Sequence, residues 1–312
     1  MQAVRYHSYG GSEVLVHEET ERPVPGAGEV LIEVAGTSFN PVDIGIRVGA
    51  LQEVFPLEFP HTPGIDVAGT IAELGAGVEG WRTGENVVAF LPMNADGAAA
   101  EYVIAPAEAL ASAPRTVELA DAAALPVGGL TAWQALFDLA GLRAGQTVLV
   151  NGAGGAVGGY AVQLAHQAGA QVSATASERN ADRLRTEGAD RILGYLDLAA
   201  TPLTVEGGPF DVVVNLVSTS PEETAALADL VRDGGALVST TTPPPENPGR
   251  GIRTARVFVL SKADQLAELV TRVDRGELRI DVAAHRRIAE LPAVHEEAAT
   301  GRLAGKTVLT PA

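Results

Sequence analysis

The stretch that decides the fold is Val150-Asn151-Gly152-Ala153-Gly154-Gly155-Ala156-Val157-Gly158. It follows an apolar run at 147–151 that reads as a buried strand. It opens a helical segment, 156–168, with Val157, Ala161, Leu164 and Ala168 on one face and Gly169 as its stop. Ala153, Gly155 and Gly158 have the spacing A-x-G-x-x-G. Small residues let the chain bend sharply and approach a pyrophosphate, and Gly158 lets the helix pack close to the sheet. The helix N-terminus adds free N–H donors and partial positive charge. A tight turn without a ligand is the competing reading. The strand–turn–helix context favours a dinucleotide loop made of Gly152, Ala153, Gly154, Gly155, Ala156, Val157 and Gly158.

Downstream, strands at 171–175, 211–214 and 236–239 alternate with helices such as 221–231. Repeated βαβ units imply a parallel sheet covered on both faces. Val217 and Thr240 follow two of these strands at the carboxyl ends, where such sheets bind ligands. Upstream the pattern is different. Short strands at 29–34, 66–74 and 86–90, separated by Gly75, Gly77, Gly80 and Gly84, suggest a barrel-like or Greek-key unit. Asp121 is placed to cap an alanine-rich helix, and 130–139 reads as helical. After a proline-rich loop at 242–248, helices at 263–275 and 291–300 and a strand at 306–309 lose the βαβ rhythm and return to the first domain. The expected fold class is α/β: a Rossmann-type doubly wound parallel sheet at 122–261, and a β-barrel domain built from 1–121 and 262–312.

The end of the second parallel strand bears on the choice of dinucleotide. A carboxylate there would bind a ribose 2′-OH, but the strand ends Thr175-Ala176-Ser177. Ser177 and Arg179 would bind a 2′-phosphate, Arg179 through charge-assisted hydrogen bonds. NADPH is the expected cofactor. Glu178 argues the other way, and a solvated Arg179 is the alternative.

Composition narrows the field. The chain has 312 residues, 46% apolar and only 4% aromatic, so its cores must be built from Ala, Val, Leu and Ile. A formal charge of −17 with no sustained basic run argues against nucleic acid. The absence of cysteine excludes disulfides, thiolate zinc sites and a cysteine nucleophile. No apolar run approaches 18 residues and no apolar signal core follows Met1, so no membrane association and a cytoplasmic location are expected.

Several spaced motifs then carry a family resemblance. They are PVPGAGEVLIEV (23–34), FNPVD (39–43) with RVG (47–49), FPHTPGIDVAG (59–69), GLTAW (129–133), SERN (177–180), GAD (188–190) and GKTVL (305–309). Together they resemble the zinc-free quinone oxidoreductase branch of the medium-chain dehydrogenase/reductase superfamily, over nearly the whole chain. The resemblance implies a GroES-like, partly open β-barrel domain beside the Rossmann domain, with the site in the cleft between them. Asn40 matches a position that lines that cleft, with an Asn-Pro turn as the alternative. Asp43 would support it, or simply act as a first-turn helix acid. Thr131 matches a nicotinamide contact. Tyr195 matches a tyrosine beside the adenosine ribose or 2′-phosphate, with packing as the alternative. Relatives pair through their nucleotide-domain sheets, so a homodimer is expected.

Zinc-bearing relatives use cysteine ligands and a Gly-His-Glu segment. This chain has Gly64-Ile65-Asp66, with His61 nearby, so no metal is expected. Without a Lewis acid, the accessible reaction is hydride transfer from NADPH to a quinone or to the β-carbon of an enone. Some relatives carry tyrosines where this chain has Gly45 and Leu51. Their loss implies a roomier, more apolar pocket and a proton drawn from water, with Tyr6, Tyr9, His7 and His17 as remaining candidate donors. His166, His285, His295, Arg286 and Arg287 read as surface or packing residues. Competing functions are an enoyl-thioester or biosynthetic ene reductase, a non-catalytic NADPH-binding sensor, and a structural protein with an idle nucleotide fold.

Overall fold

Short alternating stretches rich in Val, Ile and Ala make the first seven strands of the computed structural model, which describes residues 1–303 and 305–311. They are β1 (Gln2–Arg5), β2 (Val16–Glu19), β3 (Glu29–Ser38), β4 (Asp66–Leu74), β5 (Asn86–Phe90), β6 (Tyr102–Pro106) and β7 (Leu110–Ser112). Helix α1 (Pro41–Arg47) follows β3, with Asn40 and Asp43 forming a capping box. Helix α2 (Pro126–Trp133) leads into six further strands: β8 (Thr147–Asn151), β9 (Gln171–Thr175), β10 (Arg191–Leu193), β11 (Phe210–Asn215), β12 (Val231–Ser239) and β13 (Arg253–Arg256). Among them lie α3 (Ala156–Gln167), α4 (Ala181–Thr186) and α5 (Pro221–Ala226); α6 (Ala263–Asp274), β14 (Ala284–Arg287), α7 (Leu291–Ala299) and β15 (Thr307–Thr310) close the chain. It divides into two units, Met1–Val127 with Ser261–Ala312, and Gly128–Leu260.

The second unit carries a six-stranded, all-parallel sheet in the order β10-β9-β8-β11-β12-β13. Counted from β8, this is the 3-2-1-4-5-6 order of the doubly wound fold, with its switch point between β8 and β11. Val148, Leu149 and Val150 are all fully buried, because helices cover both faces of a parallel sheet. Helix α3 ends at Gly169 (φ 77°), where Gly169 N–H bonds to His166 O at 2.9 Å and Ala170 N–H to Ala165 O at 3.1 Å. That pair of bonds is the Schellman arrangement that satisfies the last carbonyls.

The first unit is a sheet in the order β14-β15-β3-β4-β5-β7, with β6 on β3, and a separate β1–β2 pair. Val30, Ile32, Val67, Ile71, Val87 and Val103 fill its core. The late strand β15 pairs antiparallel with β3, setting Val308 against Ser38. That pairing brings the end of the chain beside the start of α1.

Three expectations change. Ala120, not Asp121, is the cap residue, and Asp121 opens a short 3-10 turn, Asp121–Ala124. The segment 130–139 is α-helical only to Trp133 and continues as a π-turn, Gln134–Leu139. At its start the buried Gln134 side chain bonds both the N–H and the C=O of Leu260 at 2.9 Å. The helix expected over 221–231 stops at Ala226 and passes through a 3-10 turn, Leu227–Leu230, because Val231 already belongs to β12.

Candidate active site

The bend after β8 has the geometry its composition requires. Gly152 sits at φ 91°, and a Cβ there would lie 2.7 Å from Val217 Cγ1. Only glycine adopts that conformation at so close an approach. At Gly158 a Cβ would fall 2.5 Å from Ala153 Cα, so this glycine sets the closeness of α3 to the loop. Gly155, by contrast, is exposed, and a Cβ on it would meet only Gly152 O, at 3.7 Å. Gly155 caps α3 with no side-chain hydrogen bond. The first turn of this 12-residue helix therefore has no side-chain cap, the arrangement by which helix N-termini take up anions.

A belt of neutral side chains holds this bend. Thr175 Oγ1 accepts Gly152 N–H at 2.9 Å and donates to Asn151 Oδ1 at 2.7 Å. Asn151 Nδ2 donates to Asn215 Oδ1 at 2.8 Å, and Asn215 Nδ2 reaches Thr219 Oγ1 at 3.1 Å and Val217 O at 3.2 Å. Thr240 N–H and Oγ1 both donate to Asn215 O, at 3.0 and 3.3 Å. The belt thus ties the carboxyl ends of β8, β9, β11 and β12 together and fixes Val217 and Thr240 beside the loop. Arg183 Nη2 braces it from α4 through Gly154 O at 3.1 Å. Asn151, Asn215, Thr175 and Arg183 were not singled out in the sequence. Three polar residues ending buried strands, Asn151, Thr175 and Asn215, were the available signal.

Ser177 caps a 3-10 turn, Glu178–Asn180, and accepts from Asn180 Nδ2 at 3.4 Å. Arg179 is exposed and forms no ion pair among the described residues. Tyr195, just past β10, is 79% exposed. Thr131 is buried in α2.

The first unit holds a second cluster, and it is ionic. Asp66 is fully buried: Oδ1 accepts Val127 N–H at 2.8 Å, while Oδ2 accepts Ser38 Oγ–H at 2.5 Å, Asn40 Nδ2 at 2.8 Å and Lys306 Nζ at 3.2 Å. Lys306 Nζ also donates to Asn40 Oδ1 at 2.7 Å and Phe39 O at 3.2 Å. Asn40 is therefore a buried bridge between Lys306 and Asp66. Its N–H donates to Asp43 Oδ2 at 2.8 Å. Burial raises the Asp43 carboxyl to about 7, helped by nearby Asp66 and opposed by its bond from Asn40 and by Lys306. Arg47 Nε donates to His295 Nδ1 at 3.2 Å, and burial lowers His295 to about 3. Leu51 packs over Gly45, 3.3 Å from where a Cβ would lie. His7 pairs with Glu18, His285 with Asp121, and Arg286 with Glu290, all at the surface. Tyr9 packs edge-on against Phe59, and His17 and His166 are exposed.

Residues 26–115 match the family model described as alcohol dehydrogenase GroES-like domain, and 187–309 that described as zinc-binding dehydrogenase. The chloroplast envelope quinone oxidoreductase homolog of Arabidopsis thaliana is 32% identical over 100% of this chain and 98% of its own. The chain belongs to the medium-chain dehydrogenase/reductase superfamily, in its quinone oxidoreductase branch. It is 32% identical to the 2-methylene-furan-3-one reductase of Solanum lycopersicum, covering 100% of this chain and 79% of that one. A mycobacterial protein, Rv1454c, solved in complex with NADPH, superposes with a TM-score of 0.86 at 27% identity over 100% of both chains. As a member of this branch, the chain is an NAD(P)H-dependent oxidoreductase.

The words "zinc-binding" do not fit the donors present. There is no cysteine, and no group of three or more His, Asp or Glu among the described residues could hold a metal ion. Asp66, in the segment where zinc-bearing relatives carry Gly-His-Glu, already holds the Lys306 ammonium, whose charge opposes a second cation. No helix among the described residues is long and apolar enough to cross a membrane.

Proposed function

We propose that this chain uses NADPH to reduce a quinone or the β-carbon of an α,β-unsaturated carbonyl compound. The observation that carries the cofactor choice is the end of β9: no carboxylate stands at Thr175-Ala176-Ser177, while Arg179 is exposed and forms no ion pair among the described residues. Gly152 to Gly158 hold the diphosphate on the α3 N-terminus. Ser177 and Arg179 hold the 2′-phosphate, Tyr195 lies against the adenosine ribose, and Thr131, Val217 and Thr240 contact the nicotinamide half. When bound, the cofactor supplies a hydride. Asn40 orients the substrate or the nicotinamide ribose from a rigid frame with Lys306 and Asp66, and Asp43 supports it by accepting the Asn40 N–H. The NADPH-bound mycobacterial structure and the relatives' names support this reading.

The same reading places the chain in the cytoplasm as a homodimer. Strand β13 ends the parallel sheet, and Phe258 and Leu260 just beyond it are 61% and 57% exposed. An open edge flanked by exposed apolar side chains fits pairing with a second copy. Light scattering at micromolar concentration tests it.

The functional test is a substrate panel followed by NADPH absorbance. Turnover with quinones or enones, and at least tenfold weaker use of NADH, is expected. Turnover confined to acyl thioesters would make the chain a biosynthetic ene reductase. Tight NADPH binding with no acceptor turned over would make it a sensor.

A further inference from the structure

Gly159 is buried in the first turn of α3 and lies outside the A-x-G-x-x-G spacing, although glycine is a poor helix former. A Cβ there would lie 2.9 Å from Arg183 Nη1. This glycine makes room for a guanidinium.

Arg183 reaches the position from α4. Its Nη1 donates to both carboxylate oxygens of Glu187, at 3.0 and 3.2 Å, and the Glu187 side chain is only 5% exposed. Its Nη2 donates to Gly154 O at 3.1 Å. At the other end of the same peptide, Gly155 N–H bonds back to Gly152 O at 3.3 Å. A Gly–Gly link has no side chain to restrict its rotation, and these two bonds fix its plane. The Gly154 carbonyl is thereby turned to a cation of the protein and kept from facing an anion in the bend.

We propose that Arg183, seated on Gly159 and oriented by Glu187, is a positioning residue for the coenzyme: it presets the Gly154–Gly155 peptide so that the bend takes up a diphosphate without reordering. The proposal rests on the dinucleotide reading of the bend. Arg183 acts through Gly154, not by touching the coenzyme. The diphosphate is common to NADPH and NADH, so the preset bend serves both alike. That separates Arg183 from Arg179, whose charge serves the 2′-phosphate of NADPH. Ordering the backbone of one residue on binding sets the scale of the effect, about tenfold in affinity.

Two perturbations of the full chain reach the same bond from opposite sides. Gly159→Ala keeps both charged groups and favours the helix, but its methyl displaces the guanidinium. Arg183→Met with Glu187→Leu removes the pair without leaving a buried carboxylate unmatched. In calorimetric titrations each should bind NADPH and NADH about tenfold more weakly, by the same factor for both. The coenzyme KM should rise in step, with kcat at saturating NADPH unchanged. The three substitutions combined should bind no more weakly than the pair alone, because Gly159→Ala then has no guanidinium to displace. A mere loss of α4 stability would lower the melting temperature without this pattern. Wild-type affinity in both perturbed proteins overturns the role of Arg183 alone. A loss confined to NADPH also overturns it, and would make Arg183 a 2′-phosphate ligand. A wild type that binds neither coenzyme overturns the dinucleotide reading and the proposal together.

Discussion

The two units bury polar networks of opposite kinds. At the strand ends of the parallel sheet, Asn151, Thr175, Asn215, Thr219 and Thr240 form a neutral belt. At the start of α1, Asp66 and Lys306 form a buried ion pair, with the titratable Asp43, Arg47 and His295 close by. A neutral belt positions backbone for a ligand that brings its own charge, and it costs little desolvation. An ionic one must match each charge with a partner, since an unmatched buried ion is costly. The first network should be indifferent to pH and the second governed by it.

The sharpest way to break this contrast is to remove one ion. Lys306→Met leaves Asp66 buried without its cation and should lower unfolding free energy by about 3–5 kcal/mol in urea titrations. Adding Asp66→Asn should restore more than half of that loss. Asn215→Ala, in the neutral belt, should cost about 1–3 kcal/mol at every pH from 5 to 8. Equal costs for Lys306→Met and the double variant would show that the charge pair is not what holds the cluster.

The pH dependence sharpens it further. His295 titrates lower in the fold than when unfolded, so its contribution is lost as pH falls from 6.5 toward 3. Asp43 titrates higher in the fold, so its contribution is present below 3.8 and lost as pH rises through about 7. The two slopes oppose each other between these limits. His295→Leu should unmask a fall in stability with rising pH, and Asp43→Asn a rise, each on the order of 3 kcal/mol across its window. Parallel curves for wild type and both variants would remove the ionic account.

What the sequence revealed follows the same division. Strands β4, β5, β8 and β9 have the limits that their apolar runs and glycine punctuation suggest, and α3 ends one residue early. These are local patterns. The ionic cluster is not local: Lys306 lies 240 residues from Asp66 and 266 from Asn40, and Arg47 lies 248 from His295. The β15–β3 and β3–β4 pairings jointly bring the first group together, and no periodicity announces the β15–β3 one. Asn40 was legible as a residue of interest, yet its binding to Lys306 and Asp66 was not. Strands β2 (VHEE) and β14 (AHRR) were missed because they are short, polar and largely exposed.

The smallest expected effect concerns the cofactor's outer phosphate. Arg179→Ala should narrow the preference for NADPH over NADH by about tenfold, the scale of one exposed charge-assisted bond. NADH affinity should not change.

The central claim is that the bend after Asn151 holds a dinucleotide diphosphate, and calorimetric titration of NADPH into wild type and Gly155→Asp tests it most directly. The new side chain has open space at Gly155 and is a favourable helix cap, so the variant should melt no lower than wild type. It also puts a carboxylate where the diphosphate sits. One NADPH per chain in wild type, and about 100-fold weaker binding (about 2.7 kcal/mol) in the variant, is the expected result. Equal affinity in the two proteins, or no binding by wild type, would contradict the account.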